Sequence, residues 1–454
     1  MRLSRSIPWA RILVPVAVAT TAALVPLAVT GSGATPRQAV NPVAPTQGFL
    51  VMTEGDANLV ASENEGTVAV GGDLSFGNYQ IALLDPGTFV VPPDTNPTAL
   101  VVGGRIDFAG SVPGSRLSVL NGGYVKVGDL TGTVVRDTDN NGAEVATRLL
   151  PTDDYDATPR VQLTVRQPVA SVGPASPLDF AGAFAAFRAT STDLAGCAQN
   201  VVLRTPEGTV VPRPIPPGTN AVVTLTPGVT NVLNLSATDL ANIAVLTFAD
   251  QPTADTPLLV NVDTSDVGDE FVWRAPNFAG IGGEPARYIL FNFPTATSIT
   301  LTPDSATIEG TLYAPNADLT AATQSNIEGS VISRTLDHNG GEIHDFPFDT
   351  VLDCGQPTPT PTTPTPSPST PTPSPSTPTP TPSTPTPQPS GSTPPPPTPS
   401  TSPPYPPHGP KKPHLPVTGA PTLPLLGAGA ALLGVGTVLL LAAANRRRPG
   451  TGRG

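Results

Sequence analysis

The chain has 454 residues, with 60 prolines, 43 glycines, two cysteines and a formal net charge of −12. All 35 acidic residues fall within residues 35–355, which hold only 14 basic ones, a formal net charge of −21 for that region. This balance excludes a nucleic-acid partner, since phosphate binding needs a basic footprint, and suits a soluble surface that draws cations or basic partners.

Arg2, Arg5 and Arg11 precede an apolar run over residues 12–29, and Ser32-Gly33-Ala34 supplies small residues for cleavage. Residues 1–34 therefore read as a secretory signal peptide, absent from the mature protein. A short segment, residues 35–47, leads into one large domain over residues 48–355. Short runs of Val, Ile, Thr and Phe broken by Gly, Asn, Asp and Pro give that domain a mainly β texture.

Val70-Gly71-Gly72 has a relative in Val102-Gly103-Gly104, which recurs as Asn121-Gly122-Gly123 nineteen residues later. Ile308-Glu309-Gly310 recurs as Ile327-Glu328-Gly329 at the same spacing, aligning Leu312 with Val331 and Asp318 with Asp337. Short strands at a fixed period are the mark of stacked solenoid rungs; an ordinary sandwich is the rival architecture.

Asp137-Thr138-Asp139-Asn140-Asn141-Gly142 matches the first half of a calcium loop, making Asp137, Asp139 and Asn141 the calcium candidates. The twelfth position, where a bidentate glutamate belongs, is Arg148, and a plain Asp/Asn/Gly turn also fits. Ser176-Pro177-Leu178-Asp179 predicts a helix start with Ser176 as cap, followed by Phe180, Phe184 and Phe187 on one face and a stop at Gly196. Ser236-Ala237-Thr238-Asp239 starts at most a short helix, and residues 243–248 and 258–262 read as strands. Thr295, Thr297, Thr300, Thr302, Thr307 and Thr311 crowd one stretch, as strand formers or as a flat ice-binding face.

Cys197 and Cys354 are an even pair in an exported chain, which predicts one disulfide rather than two thiols. It would close a long loop, worth about 4–5 kcal/mol by chain entropy. The domain has one lysine, Lys126. Lys–Asn amide cross-links could therefore number at most one. Its two histidines are His338 and His344. Glu342 and His344 share a strand face, with Asp337 and Asp345 near in sequence. That is fewer ligands than a metal site gathers, so a polar strand end after Asn339-Gly340-Gly341 is the plainer reading.

Residues 356–414 are Pro, Thr and Ser with almost nothing else, including 26 of the 60 prolines. Such a tract buries no core and reads as a disordered, extended stalk, bare or O-glycosylated. At about 3.1 Å per residue it would reach on the order of 180 Å. Leu415-Pro416-Val417-Thr418-Gly419 follows, then an apolar span over residues 423–444 and Arg446-Arg447-Arg448. The span is long enough to cross a bilayer and the arginines would hold it on the cytoplasmic side. The set over residues 415–454 resembles an LPxTG sorting signal; a tail-anchored helix is the alternative. The resemblance implies cleavage between Thr418 and Gly419 by a sortase transpeptidase, and covalent attachment of Thr418 to peptidoglycan, with membrane contact only before sorting.

Residues 48–352 resemble the choice-of-anchor A domain of bacterial surface proteins. The resemblance rests on Gly66 to Gly72, Phe180 to Leu194, Ile289 to Pro294, Ile308 to Pro315, Ile327 to Gly329 and Gly340 to Phe348. It implies an adhesive domain, of a family in which some members are similar to collagen-binding surface proteins. The rungs and helix also look like the right-handed β-helix of ice-binding adhesin domains. No Gly-x-Ser-x-Gly, HExxH or phosphate-cradling loop occurs. The expectation is a non-enzymatic adhesin on the cell wall of a Gram-positive bacterium, with no cofactor beyond the calcium candidate. It would display a β-solenoid to a collagen-like protein, a glycan or a neighbouring cell. A structural wall or spore-surface component is the rival reading. A carbohydrate-active or ice-binding β-helix is the other.

Overall fold

In the computed structural model, residues 39–355 are described. The signal peptide, stalk and sorting signal predicted above lie outside the described residues.

The domain is a β-helix with three strand faces per turn, and its turns do not stack in sequence order. On face A the strands run Asn231–Ser236, Leu258–Asp263, Ile289–Asn292, Thr311–Ala321, Val331–His338, Val51–Thr53, Val68–Val70, Thr98–Val102 and Tyr124–Val127. All these neighbours are parallel. The last turn, Val331–His338, thus pairs with the first, Val51–Thr53. The chain builds one half outward from the middle, crosses over, and builds the other half back to its own start.

Face B holds Glu270–Trp273, Ser298–Leu301, the later parts of Thr311–Ala321 and Val331–His338, then Ala57–Leu59 and Leu74–Phe76. Face C holds Ile327–Glu328, Glu342–His344, Glu63–Asn64, Tyr79–Ile81, Arg116–Val119 and Arg160–Leu163, and ends in the antiparallel pair Glu144–Leu150 and Val134–Thr138. In the second half, the sheet of Thr219–Val223, Ile243–Phe248 and Asn277–Ala279 takes the third side.

The core follows from period-two alternation on each face. On face B, Trp273, Leu301, Ala321, His338, Leu59 and Phe76 form one inward column. Face A is buried on both sides, because the helix Phe180–Ala195 covers its outside. Phe184 and Phe187 are fully buried there, and the Phe187 ring meets Tyr313 edge-on at 5.8 Å.

The helix starts later than its sequence suggests. Asp179, not Ser176, is the cap: its Oδ1 accepts from the Gly182 amide at 2.9 Å. Ser176 instead accepts from the Leu178 amide at 3.3 Å. The predicted stop at Gly196, the short helix Ala237–Ala241 capped by Ser236, and the strand over 243–248 are all present. The other predicted strand, over 258–262, extends one residue to Asp263.

The Ile-Glu-Gly repeat is a true pair of rungs. Ile308 bridges Ile327 and Leu312 pairs with Val331. Gly310 and Gly329 sit at φ 148° and 156°, a region open to glycine alone. Asp318, however, lies opposite Thr335, and Asp337 opposite Thr320. The register slips between Ala314 and Asp318, where the strand turns the corner from face A to face B.

The front repeat needs a larger correction. Val70 and Val102 do pair, but Val102 pairs onward with Val127. Gly103 therefore stacks on Gly128, whose added Cβ would lie 2.1 Å from the Gly103 carbonyl oxygen. Asn121-Gly122-Gly123 is the turn before that strand, at φ 51° and 75° for its first two residues.

Cys197 and Cys354 are disulfide-bonded, with Cα atoms 5.4 Å apart. The bond ties the end of the long helix to the last described residues. Val40 pairs with Leu352, so the segment before residue 48 joins the same body.

Candidate binding face

Face B is the open side of the β-helix, and its outward residues are polar apart from Val272 at one end. One column reads Val272, Thr300, Thr320, Asp337, Asn58 and Ser75. A second reads Glu270, Ser298, Asp318 and Thr335. Neighbouring strands lie about 4.8 Å apart and same-face residues about 6.7 Å apart along a strand, so the face is a grid with a short regular repeat.

Hydrogen bonds fix the grid. The Asn58 amide donates to Asp337 Oδ1 at 3.1 Å and the Ser75 hydroxyl donates to Asn58 Oδ1 at 3.0 Å. Thr335 donates to Asp318 Oδ1 at 2.7 Å, and Arg334 donates to the same oxygen at 2.8 Å. Asp73 is paired with Arg105 at 3.0 Å. A shallow groove of about 360 Å³ runs along the face, with Asp318 and Asp337 on one side and Asp56, Asp73 and Asp107 on the other. Ordered, partly satisfied side chains cost little to immobilise on binding.

The threonines singled out in sequence scatter. Thr300 joins the grid. Thr302 donates to Asp304 at 2.8 Å, Thr297 donates to the Asp269 carbonyl at 3.0 Å, and Thr311 is buried. The face is instead assembled from alternate residues of six strand segments far apart in sequence. Its signal is short polar alternation, Ser298/Thr300, Asp318/Thr320 and Thr335/Asp337, in separate rungs.

The two histidines part company. His338 points into the core, and burial pushes its pKa down to about 4. Its Nδ1 lies 2.7 Å from the Tyr79 hydroxyl. His344 and Glu342 do share a face, as the sequence implies, at 3.0 Å on face C. Hydrogen bonding to Glu328 and then Glu342 raises His344 to about 9. Glu309, one rung away, is raised to about 7 by burial and by the Glu328 carboxylate. Asp337 belongs to face B, so these groups do not converge. Among the described residues, no cluster of three or more His, Cys, Asp or Glu side chains is arranged to hold a metal ion.

The calcium candidates form a hairpin turn. Asp139 Oδ1 accepts from the amides of Asn141 at 2.8 Å and Ala143 at 2.9 Å. Asp137 is paired with Arg166 at 2.8 Å. Both carboxylates are thus already engaged by groups of the chain itself.

No curated protein matches the chain. Among solved structures it is similar to an ice binding protein from an Antarctic Biological Consortium, at 12% identity, 70% of this chain, 93% of that chain and a TM-score of 0.24. It is also similar to LeIBP from an Arctic yeast, at 12% identity, 66% of this chain, 90% of that chain and a TM-score of 0.25. At such scores they add nothing to the fold, which rests on the strand pairing above. The family model described as "Putative Ice-binding-like adhesive domain" matches residues 42–345. That match takes in every rung of the β-helix, the helix on face A and the open grid of face B, and the chain belongs to this ice-binding-like adhesive domain family.

Proposed function

We propose that the protein is a surface adhesin that uses face B to hold a ligand with a short, regular repeat. The observation that carries this is the open grid of hydroxyl, amide and carboxylate groups in a chain of an adhesive-domain family. The groove's carboxylates favour a partner that donates hydrogen bonds or carries positive charge, such as a collagen-like protein or a glycan rich in hydroxyls. Binding without turnover is supported by how those carboxylates are tied. Glycoside hydrolysis needs two carboxyls free to act across a bond, whereas Asp318, Asp337 and Asp73 are held by Arg334, Asn58 and Arg105.

Display on the cell wall is part of the same proposal. It is supported by the secretory pattern over residues 1–34, the Pro/Thr/Ser tract over 356–414 and the LPxTG-type signal with Thr418 as attachment point. The choice-of-anchor A resemblance is consistent with this plan. Ice is a second reading, favoured by the family description. Against it, Glu270, Asp318 and Arg334 keep charged hydration shells on the face, which match a neutral water lattice poorly.

The test is a binding array of residues 35–355 on matrix proteins and glycans. Saturable binding without cleavage is expected. It should fall at least tenfold in Thr320→Tyr, which blocks face B, and persist in Gln80→Tyr on face C. Equal binding by both variants, or cleavage of a glycan, would sink the proposal. Thermal hysteresis without binding would move the assignment to ice.

A further inference from the structure

Lys126 occupies a position where an apolar residue belongs. Its outward column on face A reads Tyr313, Ile332, Met52, Ala69, Val101 and then Lys126. It is the only lysine among the described residues. Its side chain is 8% exposed and faces Asp94, 5% exposed, with Nζ 2.5 Å from Oδ2. Nζ also donates to the Ser171 carbonyl at 2.5 Å and the Ser171 hydroxyl at 3.0 Å. That hydroxyl donates to Asp94 Oδ2 at 2.8 Å and accepts from the Gln167 amide at 3.0 Å. Every other ion pair here with a permanent cation uses arginine, which stays charged and cannot act as a nucleophile. The one amine in the domain is the one sealed against a carboxylate. Such a buried charge pair stabilises a fold weakly, because desolvation opposes the attraction.

We infer that Lys126 and Asp94 are the site of an intramolecular amide cross-link. A proton passes from the Lys126 ammonium to Asp94 Oδ2, with Ser171 Oγ placed to relay it. The neutral amine adds to Asp94 Cγ, forming one C–N bond. A second proton passes from the added nitrogen to the protonated oxygen, which leaves as water, breaking one C–O bond. Ammonium and carboxylate become amide and water, and no oxidant, reductant or further reactant is needed. The bond would fasten the loop over residues 82–97 to the strand Tyr124–Val127, the last parallel strand of face A.

Peptide mapping of the full chain after disulfide reduction tests this. Trypsin is expected to leave Lys126 uncut and to release residues 38–105 joined to residues 117–136, at their summed mass less one water. Asp94→Ala should abolish the joined species and restore cleavage after Lys126. Separate peptides at full mass from the unaltered chain would overturn the inference. So would a linkage that survives Asp94→Ala.

Discussion

At position 338 an imidazole fills a slot that Leu301 and Ala321 fill two rungs and one rung away. With a folded pKa of about 4 against an ordinary 6.5, His338 is neutral in the core. The unfolded chain binds its proton first as pH falls, so His338 removes about 2 kcal/mol of stability between pH 7 and 5. Glu309 works the other way. Its raised pKa of about 7 means that stability is lost as pH climbs from 4.5 to 7 and regained on acidification. His344, raised to about 9, adds stability that is full below its ordinary pKa of 6.5 and is lost as pH rises from there to about 9. The whole protein can therefore be nearly flat in this window while His338 is not. His338→Leu should lower stability at pH 7 by about 1–3 kcal/mol, since the Tyr79 hydroxyl loses its partner. That deficit should shrink by about 2 kcal/mol at pH 5. Urea midpoints of both proteins at the two pH values are the check, and parallel shifts would refute a neutral buried imidazole. Sequence spacing paired Glu342 with His344 correctly, because strand period is local. It could not separate His338 from them, because which side of a rung faces inward depends on the neighbouring rungs.

The long helix is fastened to the sheet by an element with no counterpart in the predicted set: a ladder of asparagines. Asn234, Asn261 and Asn292 occupy matching positions in three successive strands. Asn261 donates to the Leu194 carbonyl at 2.9 Å and to Asn234 at 3.0 Å; Asn292 donates to the Ser191 carbonyl at 2.9 Å and to Asn261 at 2.9 Å. Ser191 returns a bond to Asn292 at 2.6 Å. Asn261 and Asn292 each satisfy a neighbour and a helix carbonyl, and Asn234 donates to the Cys197 carbonyl at 3.1 Å just past the helix, so the ladder acts as one unit. Asn292→Leu should cost about 3 kcal/mol by orphaning buried partners. Adding Ser191→Ala should cost little more, since its partner is already gone. Thermal unfolding of the two single variants and the double reads this coupling, and fully additive losses would contradict it. The signal was in the sequence, as Leu233-Asn234-Leu235, Val260-Asn261-Val262 and Phe291-Asn292-Phe293. Unequal spacing between the triplets hides it from a search at fixed period. The same irregularity misled the front repeat, where Gly103 stacks on Gly128 rather than Gly122. Only the Ile-Glu-Gly pair, joined by one short rung with a glycine at each positive φ, kept a period that sequence alone could read.

At the scale of the whole molecule, closure of the last turn on the first was not legible. It joins Met52 to Ile332, a pairing that no local periodicity encodes. This closure changes how the fold should come apart. An ordinary solenoid contacts only its sequence neighbours, so its ends fray and its cooperativity falls with length. Here the first strand in the chain, Val51–Thr53, lies in mid-stack between Val331–His338 and Val68–Val70. Neither half can leave without exposing the other's central rung. The long helix adds contacts to both halves, through Arg188 to Glu54 at 2.9 Å and to Asn316 at 2.9 Å, and the Cys197–Cys354 bond ties its end to the C-terminal segment. The disulfide, closing a separation of 157 residues, constrains the unfolded chain by about 5 kcal/mol on the chain-entropy model. The domain should therefore unfold in urea as one unit. Fluorescence of Trp273, buried in the second half, should trace the same transition as far-UV circular dichroism, which averages both halves. Reducing the disulfide should move both curves together to lower urea. Two separated transitions in the oxidised protein would show that the halves are independent and that the Val331–Val51 seam does not bind them into one fold.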